Sequence, residues 1–171
     1  MYTRKAYSNT ELETIYQRGL FDEQRVIDWL RHKHDVKPST PIENIRYDID
    51  CYLDGESVSI KCNEPRYNNF CFELEAYSAN SQSWIDSWYN TGTAKYYIIW
   101  KKAVSGVGRV FVIEKDKLVK HIKQVGWDRQ ATLTKSVLAV QKHHDRQNAK
   151  LGLINIDKCL DLGIAAVIGF M

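Results

Sequence analysis

The sequence predicts an α/β (α+β) domain built on a central mixed sheet: an antiparallel three-strand meander, a crossover helix, a parallel strand, and helices on both faces. Three observations predict it. Segments 45–53, 57–62 and 70–77 alternate polar and apolar side chains, the period of a half-buried strand. Asp54-Gly55, between the first two, is a tight-hairpin dipeptide. Tyr96-Tyr97-Ile98-Ile99-Trp100 is apolar throughout, as in a strand covered on both faces, and follows a short helical stretch. A strand–helix–strand step in one sheet makes a right-handed crossover, so this strand is expected to run parallel to segment 70–77.

The elements follow in order. Thr10-x-x-Glu13 reads as a capping box, and Leu12, Ile15, Tyr16, Val26, Ile27 and Leu30 recur at helical spacing, giving a helix over about 10–33, with an interruption left open near Gly19, where the apolar phase drifts. Pro38 and Pro41 make 36–41 a loop. The meander comes next, with a longer turn at 63–69. Residues 78–90 read as a loop and a short helix carrying Trp84, Ile85 and Trp88, stopped at Asn90-Thr91-Gly92. After the strand at 96–100, Gly106-x-Gly108 turns into another at 109–113, and 115–124 forms a helix with Leu118, Val119 and Ile122 inward. Residues 151–156 read as a strand, 157–162 as a helical turn, and the apolar tail from Gly163 as a closing strand or helix on the core. At 171 residues, 44% hydrophobic and 26% charged, the chain is expected to form one globular domain over 1–171.

Composition excludes several classes. No apolar run reaches the length of a membrane span, and the N-terminal residues lack the apolar stretch of a signal peptide. None of Cys51, Cys62, Cys71 and Cys159 forms a C-x-x-C pair, which argues against a zinc ribbon; buried, reduced thiols in a cytoplasmic setting are expected. The net charge of +3 is uneven: residues 1–94 balance to −5 and residues 95–150 to +9. An acidic half followed by a basic half suits a metal site beside a polyanion track. Lys120, Lys123, Arg129, Lys135, Lys142, Arg146 and Lys150 are the expected phosphate contacts, and Trp127 the aromatic placed to stack on a base.

The alternation also carries chemistry. Asp48 and Asp50, Ser59 and Lys61, and Glu73 and Glu75 occupy the polar faces of the three strand segments. Neighbouring strands lie about 4.8 Å apart, so four acids and one lysine are expected to crowd together. Such crowding is costly unless a divalent cation or the lysine sits among the carboxylates.

The residues 48–55, Asp-Ile-Asp-Cys-Tyr-Leu-Asp-Gly, followed by Val58-Ser59-Ile60-Lys61, resemble the metal-binding aspartate, hairpin turn and lysine strand of the PD-(D/E)xK, restriction-endonuclease-like nucleases. Asn68 to Glu75, then Trp84 and Thr93 to Tyr97, resemble small phage-type members of that superfamily. The resemblance covers about 20–115 as a nuclease core, leaving 116–171 as a basic C-terminal elaboration. It implies a magnesium-dependent nuclease, with manganese as substitute, acting on DNA inside a bacterial or phage-infected cell, with homodimerisation left open. By carry-over, Asp50 is the metal-binding aspartate with Asp48 as alternative, Lys61 is the motif lysine, and Glu23 is the helix acid with Asp22 as its substitute. Ser59 stands where the family has an acid; Glu73 is expected to supply that oxygen, with Glu75 as fallback. The rival readings are a catalytically inactive nuclease-fold protein that binds nucleic acid, motivated by Ser59, and a protein-interaction module, motivated by the acidic first half.

Overall fold

A computed structural model of the chain describes residues 9–63, 68–78, 81–125, 132–134 and 146–171. Helix α1 (Asn9–Arg31) runs through Gly19 without a break. Strands β1 (Val36–Pro38), β2 (Cys51–Leu53) and β3 (Glu56–Asn63) form an antiparallel meander, interrupted by helix α2 (Pro41–Tyr47). Strands β6 (Tyr96–Lys101), β7 (Arg109–Glu114) and β10 (Ala165–Phe170) complete a six-stranded sheet of order β1-β2-β3-β6-β7-β10. Its β3–β6 pair is parallel and its other pairs are antiparallel, the mixed sheet expected. A second, antiparallel sheet has the order β5-β4-β9-β8, from β4 (Asn69–Ser78), β5 (Ser83–Asp86), β8 (Thr132–Thr134) and β9 (Arg146–Asn155). Helices α3 (Trp88–Thr91), α4 (Lys115–Val125) and α5 (Ile156–Asp161) complete the described elements.

Strand β6 explains the layering. Side chains alternate across a strand, and both of its faces are buried. Ile98 and Trp100 pack with Val26, Ile27 and Leu30 of α1 and with Cys51, Val58 and Val110. Tyr97 and Ile99 face the opposite way, onto Phe70 and Phe72 of β4, Phe111 and Ile113 of β7, Leu118 of α4, and Ile156 and Cys159 of α5. The mixed sheet therefore lies between α1 on one side and the second sheet with α4 and α5 on the other. No described helix is long and apolar enough to cross a membrane. All four cysteines are free thiols.

Two strand expectations are corrected. Segment 45–53 is not one strand: residues 41–47 are helical, and Ile45 is 81% exposed. Thr40 caps α2 in a capping box with Glu43, and Pro41 opens the helix, so local capping overrides the alternation. Segment 70–77 does not join the meander. Phe70, Phe72 and Ala76 are fully buried, and β4 stacks over β6 and β7 while pairing with β9 and β5. The free edge of β3 is taken by β6, which therefore runs parallel to β3 and not to segment 70–77. Residues 83–86, which carry Trp84 and Ile85, are a strand instead of part of the short helix expected, and that helix is confined to Trp88–Thr91. The hairpin reading holds: Asp54 (φ 50°) and Gly55 (φ 88°) both adopt positive φ, as a type I′ turn requires.

Candidate active site

The site grows from the end of α2. Asp48 is the C-cap residue, in the left-handed conformation (φ 53°, ψ 42°) that aspartate tolerates, and its N–H donates to the Glu43 carbonyl. This turns the chain so that Asp50 enters the sheet, its N–H donating to the Val58 carbonyl at 2.8 Å. Gly92 packs against the turn: a Cβ there would lie 2.5 Å from the Trp88 carbonyl oxygen and 3.0 Å from Asp48 Cβ, so only glycine fits.

Each aspartate is held at both oxygens. Asp50 Oδ2 accepts the Ile60 N–H at 2.5 Å, and Oδ1 accepts Asn44 Nδ2 at 2.7 Å. Asp48 Oδ2 accepts Ser59 Oγ at 2.7 Å, and Oδ1 accepts Lys61 Nζ at 2.7 Å. Ser59 is fully buried and acts as a hydroxyl donor that orients Asp48. Lys61 retains 22% side-chain exposure, and Asp48 retains 17%. A cleft of about 290 Å³ opens above the lysine, lined by Tyr16, Gly19, Leu20, Glu23, Ile60, Lys61 and Cys62.

Glu23 brings α1 into the cluster. Burial pushes its carboxyl up to about 7, the Asp50 and Asp48 charges push the same way, and Lys61 opposes them. Burial also raises Asp50 above the usual carboxylate range, against Lys61 and the Ile60 N–H. Glu23 and Asp50 both feel Lys61, which pairs with Asp48, and Lys115 also feels the Asp48 charge. Asp22 turns elsewhere: it is 6% exposed and pairs with Lys102.

The three-strand polar face divides between the two sheets. Glu73 and Glu75 lie on β4, where Glu73 accepts from Ser87 Oγ and Glu75 pairs with Lys150. Neither is among the charges acting on Glu23 or Asp50. Lys120 and Lys123 are exposed on α4, and Lys123 borders a second cleft of about 420 Å³ with Lys115 and Tyr89. Trp127, Arg129, Lys135 and Lys142 lie outside the described residues; Arg146 begins β9. Three supporting residues escaped the sequence reading: Asn44, Gly92 and Trp88, whose ring lies 4.7 Å from Lys61 Nζ. Only Gly92, after the short helix, carried a sequence signal, and it was read as a stop alone.

The raised Glu23 carboxyl has a consequence for stability. A carboxyl with a folded-state value above its unfolded one binds more protons when folded, so it costs stability as pH rises from about 4.5 to about 7. Glu23→Gln removes that cost. At pH 8 it is expected to be more stable than the unsubstituted protein by about 1–2 kcal/mol, allowing for partial solvent screening. At pH 4.5 the two should coincide. Urea denaturation at both pH values checks this; equal stability at pH 8 would show that neither burial nor the aspartates raise the Glu23 carboxyl.

No protein-family model matches the chain, and no curated protein matches it. Among solved structures, a restriction endonuclease in complex with substrate DNA is similar to it, with a TM-score of 0.51 and 17% identity. The match covers 90% of this chain and 70% of that one. At this identity the likeness speaks for the fold, and the fold is restriction-endonuclease-like.

Proposed function

We propose that the protein is a metal-dependent nuclease that hydrolyses phosphodiester bonds of DNA, with its active site at Asp48, Asp50, Lys61 and Glu23. One observation carries this reading. Glu23, Asp50 and Asp48 lie in a half-open cluster with Lys61, where burial and then the Asp50 charge push Glu23 up to about 7, an environment that a bound cation would relieve. Among the described residues no three His, Cys, Asp or Glu side chains form a ready-made metal cage. Magnesium keeps several waters and is commonly held by one or two carboxylates, so it would not require such a cage. Asp50 and Glu23 would hold it, with Asp48 adjoining; Glu73 and Glu75 take no part.

When bound, magnesium supplies a more acidic water and charge beside the phosphate oxygens. The chain does the rest. Ile60 N–H and Asn44 fix the Asp50 carboxylate, so it would hold a cation with little reorganisation. Asp48 holds the Lys61 ammonium at the cleft, where it would meet negative charge growing on a phosphate. Exposed Lys120 and Lys123 would contact the backbone farther along the strand.

The second reading is a nuclease-fold protein that binds nucleic acid without cleaving it. The buried Ser59, a donor to Asp48 where a ligand acid would stand, favours that reading. Supercoiled plasmid, single-stranded DNA and RNA incubated with magnesium, manganese or EDTA decide between them. Metal-dependent nicking that EDTA stops is expected. Binding that persists in EDTA, with no cleavage in either metal, would establish the second reading.

A further inference from the structure

Lys61 is held on two sides. Its ammonium donates to Asp48 Oδ1 at 2.7 Å and lies 4.7 Å from the centroid of the Trp88 ring. A lysine side chain is a flexible four-carbon stem ending in a point charge, and one ion pair in a half-open cleft fixes it weakly. An indole face is the best aromatic partner for such a cation. Trp88 is itself held. It stacks edge-to-face on Tyr97 at 5.5 Å and 72°, and tilted on Phe72 at 5.6 Å and 51°. Tyr97 is 1% exposed and Phe72 fully buried, so this aromatic box is part of the core. Tyr97 is also the cross-strand partner of Ser59, which places it on the face that carries Ser59 and Lys61.

The backbone ties the two supports together. Ser87 N–H donates to the Leu74 carbonyl at 2.9 Å, anchoring the start of α3 to β4. At the other end Gly92 N–H donates to the Trp88 carbonyl at 2.8 Å, and Gly92 abuts Asp48. The turn that presents the indole to Lys61 therefore also buttresses the carboxylate that Lys61 pairs with.

We infer that Trp88 is a positioning residue of the proposed active site: its ring face and Asp48 together hold the Lys61 ammonium where it meets the phosphate. The inference rests on the nuclease reading for its consequence, but not for the contact itself. Trp88 acts through Lys61 and does not touch the reacting atoms.

The test uses the full chain labelled with ¹³C-lysine. In the unsubstituted protein the ε-methylene protons of Lys61, assigned by their loss in Lys61→Ala, are expected to shift upfield in the indole ring current. Trp88→Leu keeps apolar bulk and should abolish the shift. It should lower kcat about tenfold with KM little changed, as expected for about 1–2 kcal/mol of lost cation–π contact. Trp88→Phe keeps an aromatic face and should retain a smaller shift and most of kcat. A mere packing role predicts equal losses in the two variants, and that result overturns the inference, as does the absence of an upfield Lys61 signal. Should Trp88→Leu fail to fold, the unsubstituted spectrum and Trp88→Phe decide alone: no upfield signal, or loss of kcat despite a retained ring face, overturns it. If Lys61→Ala cleaves normally while the upfield signal is present, the lysine's role in the nuclease reading fails and the contact stands.

Discussion

Asp50→Asn is expected to lower metal-dependent cleavage about 10³-fold or more while leaving the fold intact. The substitution removes the charge that would face the cation and keeps the shape. Its amide oxygen can still accept the Ile60 N–H, and Asn44 can turn its own oxygen to the new NH₂ group. Burial already disfavours the Asp50 charge, so the neutral variant should melt at the same temperature or higher at pH 8. Single-turnover nicking in magnesium, beside a circular-dichroism melt, reads both effects. A folded variant cleaving within tenfold of the original would remove Asp50 from the centre of the reaction. Glu73→Gln is the informative contrast. Its carboxylate is tied to Ser87 in the other sheet, so its loss should cost much less; an equal loss would return Glu73 to the site.

Phe72→Ala is expected to have the largest effect on stability, about 3–5 kcal/mol, because it empties a fully enclosed aromatic position. Phe72 is 0% exposed and touches Trp88 at 5.6 Å, Tyr89 at 5.8 Å and Tyr97 at 5.4 Å. It carries the second sheet onto the first. Urea denaturation should show a lower midpoint with an unchanged slope. A loss under 1 kcal/mol would mean that the two sheets do not share one core. The cavity would also release Trp88, so the Lys61 upfield signal should weaken in this variant even under conditions where it remains folded.

Much of the fold is legible where neighbours in sequence are neighbours in space. The apolar spacing of Val26, Ile27 and Leu30 marks the buried face of α1, and those three residues pack on the sheet. Asp54-Gly55 marks a turn, and the turn forms there. The unbroken apolar run at 96–100 marks a strand covered on both sides, and β6 is that strand. The failure at 45–47 is instructive because its signal was present. Thr40-Pro41-x-Glu43 is a helix start, yet the alternation of Ile45, Tyr47 and Ile49 read as a strand. Over so short a run the two periods cannot be separated. Ile45 (81% exposed) and Tyr47 (42%) do not face a core, whereas Ile49 (7%) does.

The sequence by itself determined that Asp50 meets the Ser59–Lys61 strand, through the two-residue turn of the β2–β3 hairpin. Asp48 joins them through the left-handed C-cap of α2, which the strand reading of 45–53 did not contain. Tertiary structure alone decided the rest of the site. Glu23 reaches the cluster while Asp22 turns to Lys102, because the roll of α1 on the sheet is set by packing across the layer. Glu73 leaves the cluster because the edge of β3 pairs with β6, and β4 is needed as a lid over Tyr97, Ile99 and Phe111. Trp88 arrives at Lys61 for the same reason, carried there by the connection between the two sheets. Alternation tells which face of a strand is buried; it carries no information about which edge that strand will join.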